Sequence, residues 1–454
     1  MWIGQRTVRG SRAHCGDRGR TVPSCRRAQG EVMAGRGADV PRTVAVVGAG
    51  IVGLSTAWFL QRYGVGVTVV ERDTVSSGAS WGNAGWIAPG LTIPLNDPSV
   101  LGHGVRAVLD PKSPLSIPPT TDTGLLGFLA AFAFNSRRST WERALHGNAP
   151  LSSVSLDAFT ELVEAGVGLQ DGPKIEDAPV TALFSGEKRA VHLLAELDRM
   201  RAAGLPLSYA ALDRGAVRAQ SPFVSDTVRA GVRIDHQRHV HPGLFTHALA
   251  DAVRSRGGSV VEGFRVTGVE ARGDGFRLRS AHGETETADA VVVATGAWLG
   301  RQGRPWGVTV PLRAGRGYSF TVPTDTPVPG PLYLPEARVA CTPLAEGLRV
   351  AGTMEFRDIE APMSEGRISA IASSAEPYLT GVDLAGRTDA WVGSRPVTAD
   401  GLPIIGETRI PGLYVAGGHG MWGFTQGPAT GRMLARAIAT GHPPEALRPF
   451  DPLR

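Results

Sequence analysis

Three glycines and one acid are the residues whose types and spacing suggest chemistry most directly: Gly48, Gly50 and Gly53, within Gly48-Ala49-Gly50-Ile51-Val52-Gly53, and Glu71. Gly48 would allow a tight turn. Gly50 would let backbone N–H groups approach a pyrophosphate at the positive end of a helix, and Gly53 would let that helix pack closely on a strand. Glu71 stands 21 residues after Gly50, where a carboxylate accepts both hydroxyls of an adenosine ribose. The chemistry is the binding of a dinucleotide. A second glycine turn, Gly417-Gly418-His419-Gly420, precedes a helix and aims another dipole end at a ligand. A third candidate is Thr295-Gly296, at the carboxyl end of an apolar run, the place where open α/β sheets meet their ligands.

Other chemistries find little footing. No Ser/His/Asp or Cys/His arrangement carries a surrounding motif, and no metal-ligand spacing stands out, so no metal is expected. His239 and His241 lie one residue apart without a third ligand and read as structural histidines at the start of a helix.

These residues need elements to hold them. Val44–Val47, an amphipathic run and Val67–Val70 spell one βαβ unit ending at Glu71. Ser76–Gly90, rich in small residues but holding Trp81 and Trp86, reads as a loop covering a ligand. Residues 94–120 are proline-rich and irregular, and helices are predicted near 124–134, 150–166 and 187–203. Next come a helix at Leu244–Arg256, strands at 259–261, 265–271 and 276–280, and a buried parallel strand running into Thr295. From 311 to 395, short strands at 317–322, 332–334, 338–342, 348–351 and 390–395, with a helix at about 364–378, suggest an inserted antiparallel sheet. A strand at 412–417 and a helix starting near Gly427 return to the first unit.

A chain of 454 residues suggests two interleaved domains. Its net charge of +5 is concentrated in residues 1–42, which hold nine Arg against Asp17, Glu31 and Asp39, so the remainder is close to neutral. No nucleic-acid partner is expected. That leader lacks the apolar core of a secretory signal and reads as a disordered basic tail, a transit peptide or a start upstream of the true one at Met33. Only Cys341 lies beyond it, which fits a reducing cytoplasm. Gly124–Phe134 falls short of the ~18 apolar residues of a membrane span. It reads as a buried helix, with a membrane-contacting patch as the other reading.

With these pieces placed, the chain resembles the D-amino-acid oxidase and dehydrogenase family of FAD flavoproteins, within it the bacterial D-amino acid dehydrogenases. The resemblance rests on Gly48–Gly53 with Glu71, Asn83–Gly90, Arg316-Gly317-Tyr318-Ser319, Gly393–Pro403 and Gly418-His419-Gly420. It implies a Rossmann-like α/β FAD-binding domain (residues 42–97, 236–310 and 396–454), of the glutathione-reductase type. An interleaved antiparallel-sheet substrate domain would take 98–235 and 311–395, after a leader at 1–41. It implies FAD bound without a covalent link, since no Cys follows Cys341 and Gly82 rather than His follows Trp81. Its cofactor contacts would be Gly48, Ala49, Gly50, Ile51, Val52, Gly53, Glu71, Arg72, Asn83, Ala84, Gly85, Val266, Thr295, Gly296, Gly418, Gly420, Gly423 and Thr425.

The implied activity is oxidative deamination of D-amino acids, D-proline or hydroxyproline among them, by hydride transfer from the α-carbon to flavin N5, giving an imino acid. A neutral amine supplies the electron push, so no protein base is required. Arg395 matches the family position of the carboxylate-binding arginine, with Tyr318 as a second contact and Arg316 and Arg349 as reserves. His419 would lie beside the flavin, where backbone N–H groups stabilise negative charge. Cys341-Thr342-Pro343-Leu344 replaces a region where glycine and sarcosine oxidases carry an Arg, which puts a second carboxylate clamp in doubt. The alternatives are an oxidase of glycine, sarcosine or other secondary amines, and a non-catalytic FAD-binding subunit. The electron acceptor would be O₂, a quinone or an electron-transfer protein. The location would be the cytoplasm, or the inner face of the cell membrane as a peripheral protein.

Overall fold

Four buried residues in a row, Val44–Val47, form the inner part of the strand Thr43–Val47. A strand apolar on both faces belongs in the middle of a parallel sheet. It pairs in parallel with Gly66–Val70 on one side and Ala290–Val293 on the other, Val46 lying opposite Val69 and Val292. Ser259–Val261 extends the sheet beyond Gly66–Val70, and Leu413–Gly417 extends it beyond Ala290–Val293. Ile404–Glu407 closes the far edge antiparallel. The computed structural model describes residues 40–98, 113–168, 172–221, 223–325 and 327–454. Nearly all of the expected leader, and residues 99–112 of the proline-rich stretch, lie outside the described residues.

One face of the parallel sheet is covered by the helices Ile51–Arg62, Pro242–Ser255 and Gly423–Thr440, whose Leu54, Trp58, Phe245, Leu249, Phe424 and Leu434 share one core with Val44 and Val46. The other face packs against an antiparallel three-stranded sheet, Val266–Arg272, Gly275–Ser280 and Thr285–Ala288, through Phe276 and Leu278.

A second, nine-stranded sheet stands beside this unit. Its order is Thr388–Thr398, Leu312–Val322, Gly347–Phe356, Val339–Leu344, Leu332–Leu334, Val180–Phe184, Ala230–Ile234 and Tyr209–Asp213, with Leu115–Ser116 alongside Gly347–Phe356. Alternation assigns its two faces. Tyr318, Phe320 and Val322 pack with Ile368 and Ile371 of the helix Glu365–Ala375. Between them, Ser319 points the other way and donates its hydroxyl to Gly82 O at 2.6 Å, so this second face meets the 76–90 loop.

Several sequence expectations need correction. Strands at 180–184, 209–213, 230–234 and 404–407 were not anticipated, nor was the helix Arg138–Ser153, whose polar composition and internal Pro150 conceal it. The helix predicted over 150–166 is the end of that helix followed by a separate one, Ser155–Glu164. The C-terminal helix begins at Gly423 rather than near Gly427. Pro428, which favours a start just before it, lies inside the helix instead. The helix Thr123–Asn135 is only partly buried: Leu125 and Phe128 are covered, whereas Leu126 and Phe134 are exposed.

Candidate active site

Between the parallel sheet and the nine-stranded sheet runs a cleft of about 450 Å³, from the Gly48 turn and Glu71 at one end to Arg395 and His419 at the other. That is the scale of a small-molecule or cofactor site. At its first end Gly48 has φ +113°, and a Cβ there would stand 2.6 Å from Ala294 O, so turn and close packing both demand glycine. Glu71 accepts the Ala49 N–H at 2.8 Å through Oε2 and the Asp73 N–H at 3.2 Å through Oε1. Burial raises its pKa, and these backbone donors oppose the rise. Ser80 Oγ accepts the Ile51 N–H at 3.0 Å and caps the helix beside the turn. Farther along, Arg72 stacks over Trp298 at 4.1 Å, and Thr295 donates to Gln302 Oε1 at 2.7 Å. A glycine turn at a helix N-terminus, a half-buried acid closing the second strand and an elongated cleft fit a dinucleotide such as FAD.

At the other end Arg395 lies on the strand Thr388–Thr398, recessed in the cleft wall. Its Nη1 donates to Thr353 O at 2.7 Å. No carboxylate lies within ion-pair distance of it among the described residues. Burial lowers its pKa to about 10, so it is a cation at neutral pH. Two residues earlier on each step of the same face come Gly393 and Trp391, and the Trp391 ring fills the space that Cβ atoms on Gly393 and Gly82 would occupy. His419 is buried, and its Nε2 shares a 2.9 Å hydrogen bond with Thr430 Oγ1. Burial pushes its pKa down to about 4, which leaves the ring neutral.

Of the residues expected from sequence, Gly48, Gly50, Ile51, Val52, Glu71, Arg72, Asn83, Val266, Thr295, Gly296, Gly420, Gly423, Arg395 and His419 line the cleft. Ala49, Gly53, Ala84, Gly85, Gly418 and Thr425 stand behind the lining. Ala49 holds Glu71, and Gly53 packs so tightly that its Cβ would lie 2.0 Å from Gly48 O. Ala84 O accepts from Thr342 at 2.7 Å, the Gly85 N–H is held by Asn83 at 2.8 Å, and Thr425 donates to Trp86 O at 2.9 Å.

Tyr318 requires correction. It is fully buried on the face turned away from the cleft, where its hydroxyl donates to Glu355 Oε2 at 2.5 Å. Burial and that carboxylate push its pKa up to about 12. Both reserve arginines are likewise engaged, Arg316 with Glu355 and the carbonyls of Ala361 and Pro362, and Arg349 with Asp389 at 2.8 Å. Where a second clamp was doubted, Cys341 is buried and Thr342 is bonded to Ala84 and Trp86. His241 caps the helix Pro242–Ser255 by accepting the Leu244 N–H, and His239 is buried in a short strand.

Trp391, Gln302, Trp298 and Thr353 carried no signal in the sequence, because each enters the site through non-local packing. One cluster unseen in the sequence, Asp97, His192 and Glu196, brings three candidate ligand atoms within 4.8 Å of one another, but it is no part of the cleft lining.

A family model described as "FAD dependent oxidoreductase" matches residues 43–437, and one described as "Pyridine nucleotide-disulphide oxidoreductase" matches residues 4–78. The chain is 31% identical over 414 residues to a D-amino acid dehydrogenase of Cereibacter sphaeroides, covering 88% of this chain and 92% of that one. It is 32% identical over 426 residues to a D-amino acid dehydrogenase of Methylobacterium sp. (strain 4-46), covering 90% and 97%. Among solved structures, glycine oxidase from Geobacillus kaustophilus superimposes with a TM-score of 0.71 at 22% identity, over 91% of this chain and 98% of that one. At that identity the likeness is one of fold.

Proposed function

The chain belongs to the family of FAD dependent oxidoreductases, and on that premise we propose that it oxidises D-amino acids to imino acids, which water then deaminates. The observation that carries the reading is Arg395: a half-buried guanidinium recessed in the cleft wall, with no acid partner among the described residues. A partly desolvated cation without a counter-ion is a ready partner for an anionic ligand. A zwitterionic amino acid brings that carboxylate. Bound FAD supplies the hydride acceptor. The chain's own work is then positional. Arg395 fixes the carboxylate, Trp391 and His419 wall the reacting end, and the Gly48 turn with Glu71 anchors the far end of the cofactor. Neutral His419 is no competitor for the substrate's anion.

The cofactor is held without a covalent bond in this reading. Residues 42–97, 236–310 and 396–454 form its domain, and 98–235 with 311–395 form the substrate domain. Sheet membership supports the division, since every strand of the parallel sheet comes from the first set. The nine-stranded sheet draws on the second, apart from Pro396–Thr398.

For the acceptor and location we favour a quinone reached from a membrane surface. Among the described residues no helix is long and apolar enough to cross a membrane. The helix Thr123–Asn135, however, exposes Leu126 by 50% and Phe134 by 64%, with Arg137 and Arg138 just beyond it. An apolar stripe ending in cations suits peripheral contact with an anionic bilayer. Anaerobic mixing of the FAD-loaded protein with D-amino acids, L-amino acids and N-methyl amines tests the function. Bleaching of the flavin band by D-amino acids is expected. Bleaching only by N-methyl amines would move the substrate to secondary amines, and no bleaching by any of them would favour a non-catalytic subunit.

A further inference from the structure

Arg395 reaches its carbonyl partner by an unusual route. In the nine-stranded sheet Thr388–Thr398 neighbours Leu312–Val322, which neighbours Gly347–Phe356. Arg395 begins on the first strand, opposite Gly315 of the second, and its guanidinium donates to Thr353 O on the third. Two strand spacings span about 10 Å, so the side chain must pass over the middle strand. It passes over Gly317. A Cβ there would lie 2.0 Å from Arg395 Nη2 and 2.1 Å from Cζ. Gly317 does not have a positive φ, so space rather than backbone freedom requires glycine.

The third strand is shaped to meet the guanidinium. Arg316 pairs with Glu355 and Tyr318 with Gly352, so Thr353 and Met354 together face Gly317. This is a β-bulge, a device that re-aims groups beside functional sites. Within it Thr353 has φ +59°, rare for a β-branched residue, and its carbonyl takes the Arg395 Nη1 proton. A strained conformation persists only where its surroundings over-determine it. Here the bulge and the bridging arginine meet at the same residue.

We propose that Gly317 and Thr353 are positioning residues for substrate recognition: Gly317 opens the path that lets Arg395 cross the middle strand, and the bulged Thr353 carbonyl pins one arm of its fork. The other N–H groups are thereby left to take a substrate carboxylate, a role that rests on the function proposed above. One arm tied to protein and the rest free gives a clamp of fixed orientation, which a freely rotating arginine would lack.

The test uses the full-length FAD-loaded protein and two small probes of equal shape, propanoate and propanamide, titrated while the flavin absorption is followed. The wild type should prefer propanoate at least tenfold. Arg395→Leu and Gly317→Ala should each abolish that preference with FAD content unchanged, whereas Thr353→Val, which keeps the carbonyl, should retain it. If Gly317→Ala folds poorly because its methyl group strikes the guanidinium, Gly317→Ala/Arg395→Leu should recover the FAD content and melting temperature of Arg395→Leu alone. A Gly317→Ala protein that keeps the wild-type preference would overturn the inference while leaving the carboxylate role of Arg395 standing. So would a double variant that remains unfolded, or loss of the preference in Thr353→Val. A wild type indifferent between the probes would overturn the carboxylate role itself, and the inference with it.

Discussion

Arg316 and Arg395 lie on adjacent strands of one sheet, a single residue out of register: Arg316 pairs with Ser394, and Gly315 with Arg395. Their surroundings are opposite. Arg316 is 1% exposed and faces the helical side, where it meets Glu355, itself shared with Arg367, and the Ala361 and Pro362 carbonyls. Arg395 faces the cleft, spends one arm on Thr353 O and meets no acid among the described residues. The two differ in burial, Arg316 being fully enclosed and Arg395 half-buried at the cleft, but the sharper difference is in partners. What separates them is whether the protein itself supplies the anion.

The largest expected effect attacks the satisfied side of this contrast. Glu355 receives the Tyr318 hydroxyl and lies 3.7–3.9 Å from Arg367 and Arg316. Glu355→Ala should cost about 3–5 kcal/mol of stability, the scale of leaving buried charge unpaired, read as a fall in the urea midpoint. A variant unfolding within 1 kcal/mol of wild type would show that the network is better solvated than its burial suggests.

A second expectation concerns the cleft side. His419 is neutral in the folded protein down to about pH 4, while an unfolded histidine takes its proton near 6.5. Between those values the unfolded chain binds the extra proton, so stability falls as pH falls from 6.5 to 4 and is unaffected by this group above that window. The shift corresponds to a loss of about 3 kcal/mol. In His419→Gln, melting temperatures across that pH range should fall less than in wild type, and an unchanged slope would count against a buried neutral ring.

The smallest effect sharpens the contrast by doing little. Tyr318→Phe removes a hydrogen bond to Glu355 but touches nothing in the cleft. It should cost about 1–3 kcal/mol of stability and leave KM for an amino acid within about twofold. A large rise in KM would restore Tyr318 as a substrate contact.

The first end of the cleft was legible in the sequence because its signals are local: strand, glycine turn, helix and acid follow one another within residues 43–71. The other end was legible only in part. Arg395 and His419 sit in short motifs, but Trp391, Gln302 and Thr353 owe their places to packing between distant segments. Tyr318 was misread although a signal existed. Tyr318, Phe320 and Val322 alternate with Ser319 and Thr321, and that period places the tyrosine with the apolar residues, away from the polar face. Arg316 shares its parity and its fate. The strands at 180–184 and 230–234 went unseen because both are almost wholly buried, and continuous burial erases the alternation that marks a strand.

In the proposed function Arg395 takes a substrate carboxylate, since no described residue supplies one. Steady-state kinetics of Arg395→Leu against the best D-amino acid of the bleaching panel tests it most directly, alongside FAD content and melting temperature. Bound FAD, a melting temperature no lower than wild type and a loss of about 2–5 kcal/mol in kcat/KM are expected. An unchanged kcat/KM in a folded, FAD-loaded variant would contradict the carboxylate role.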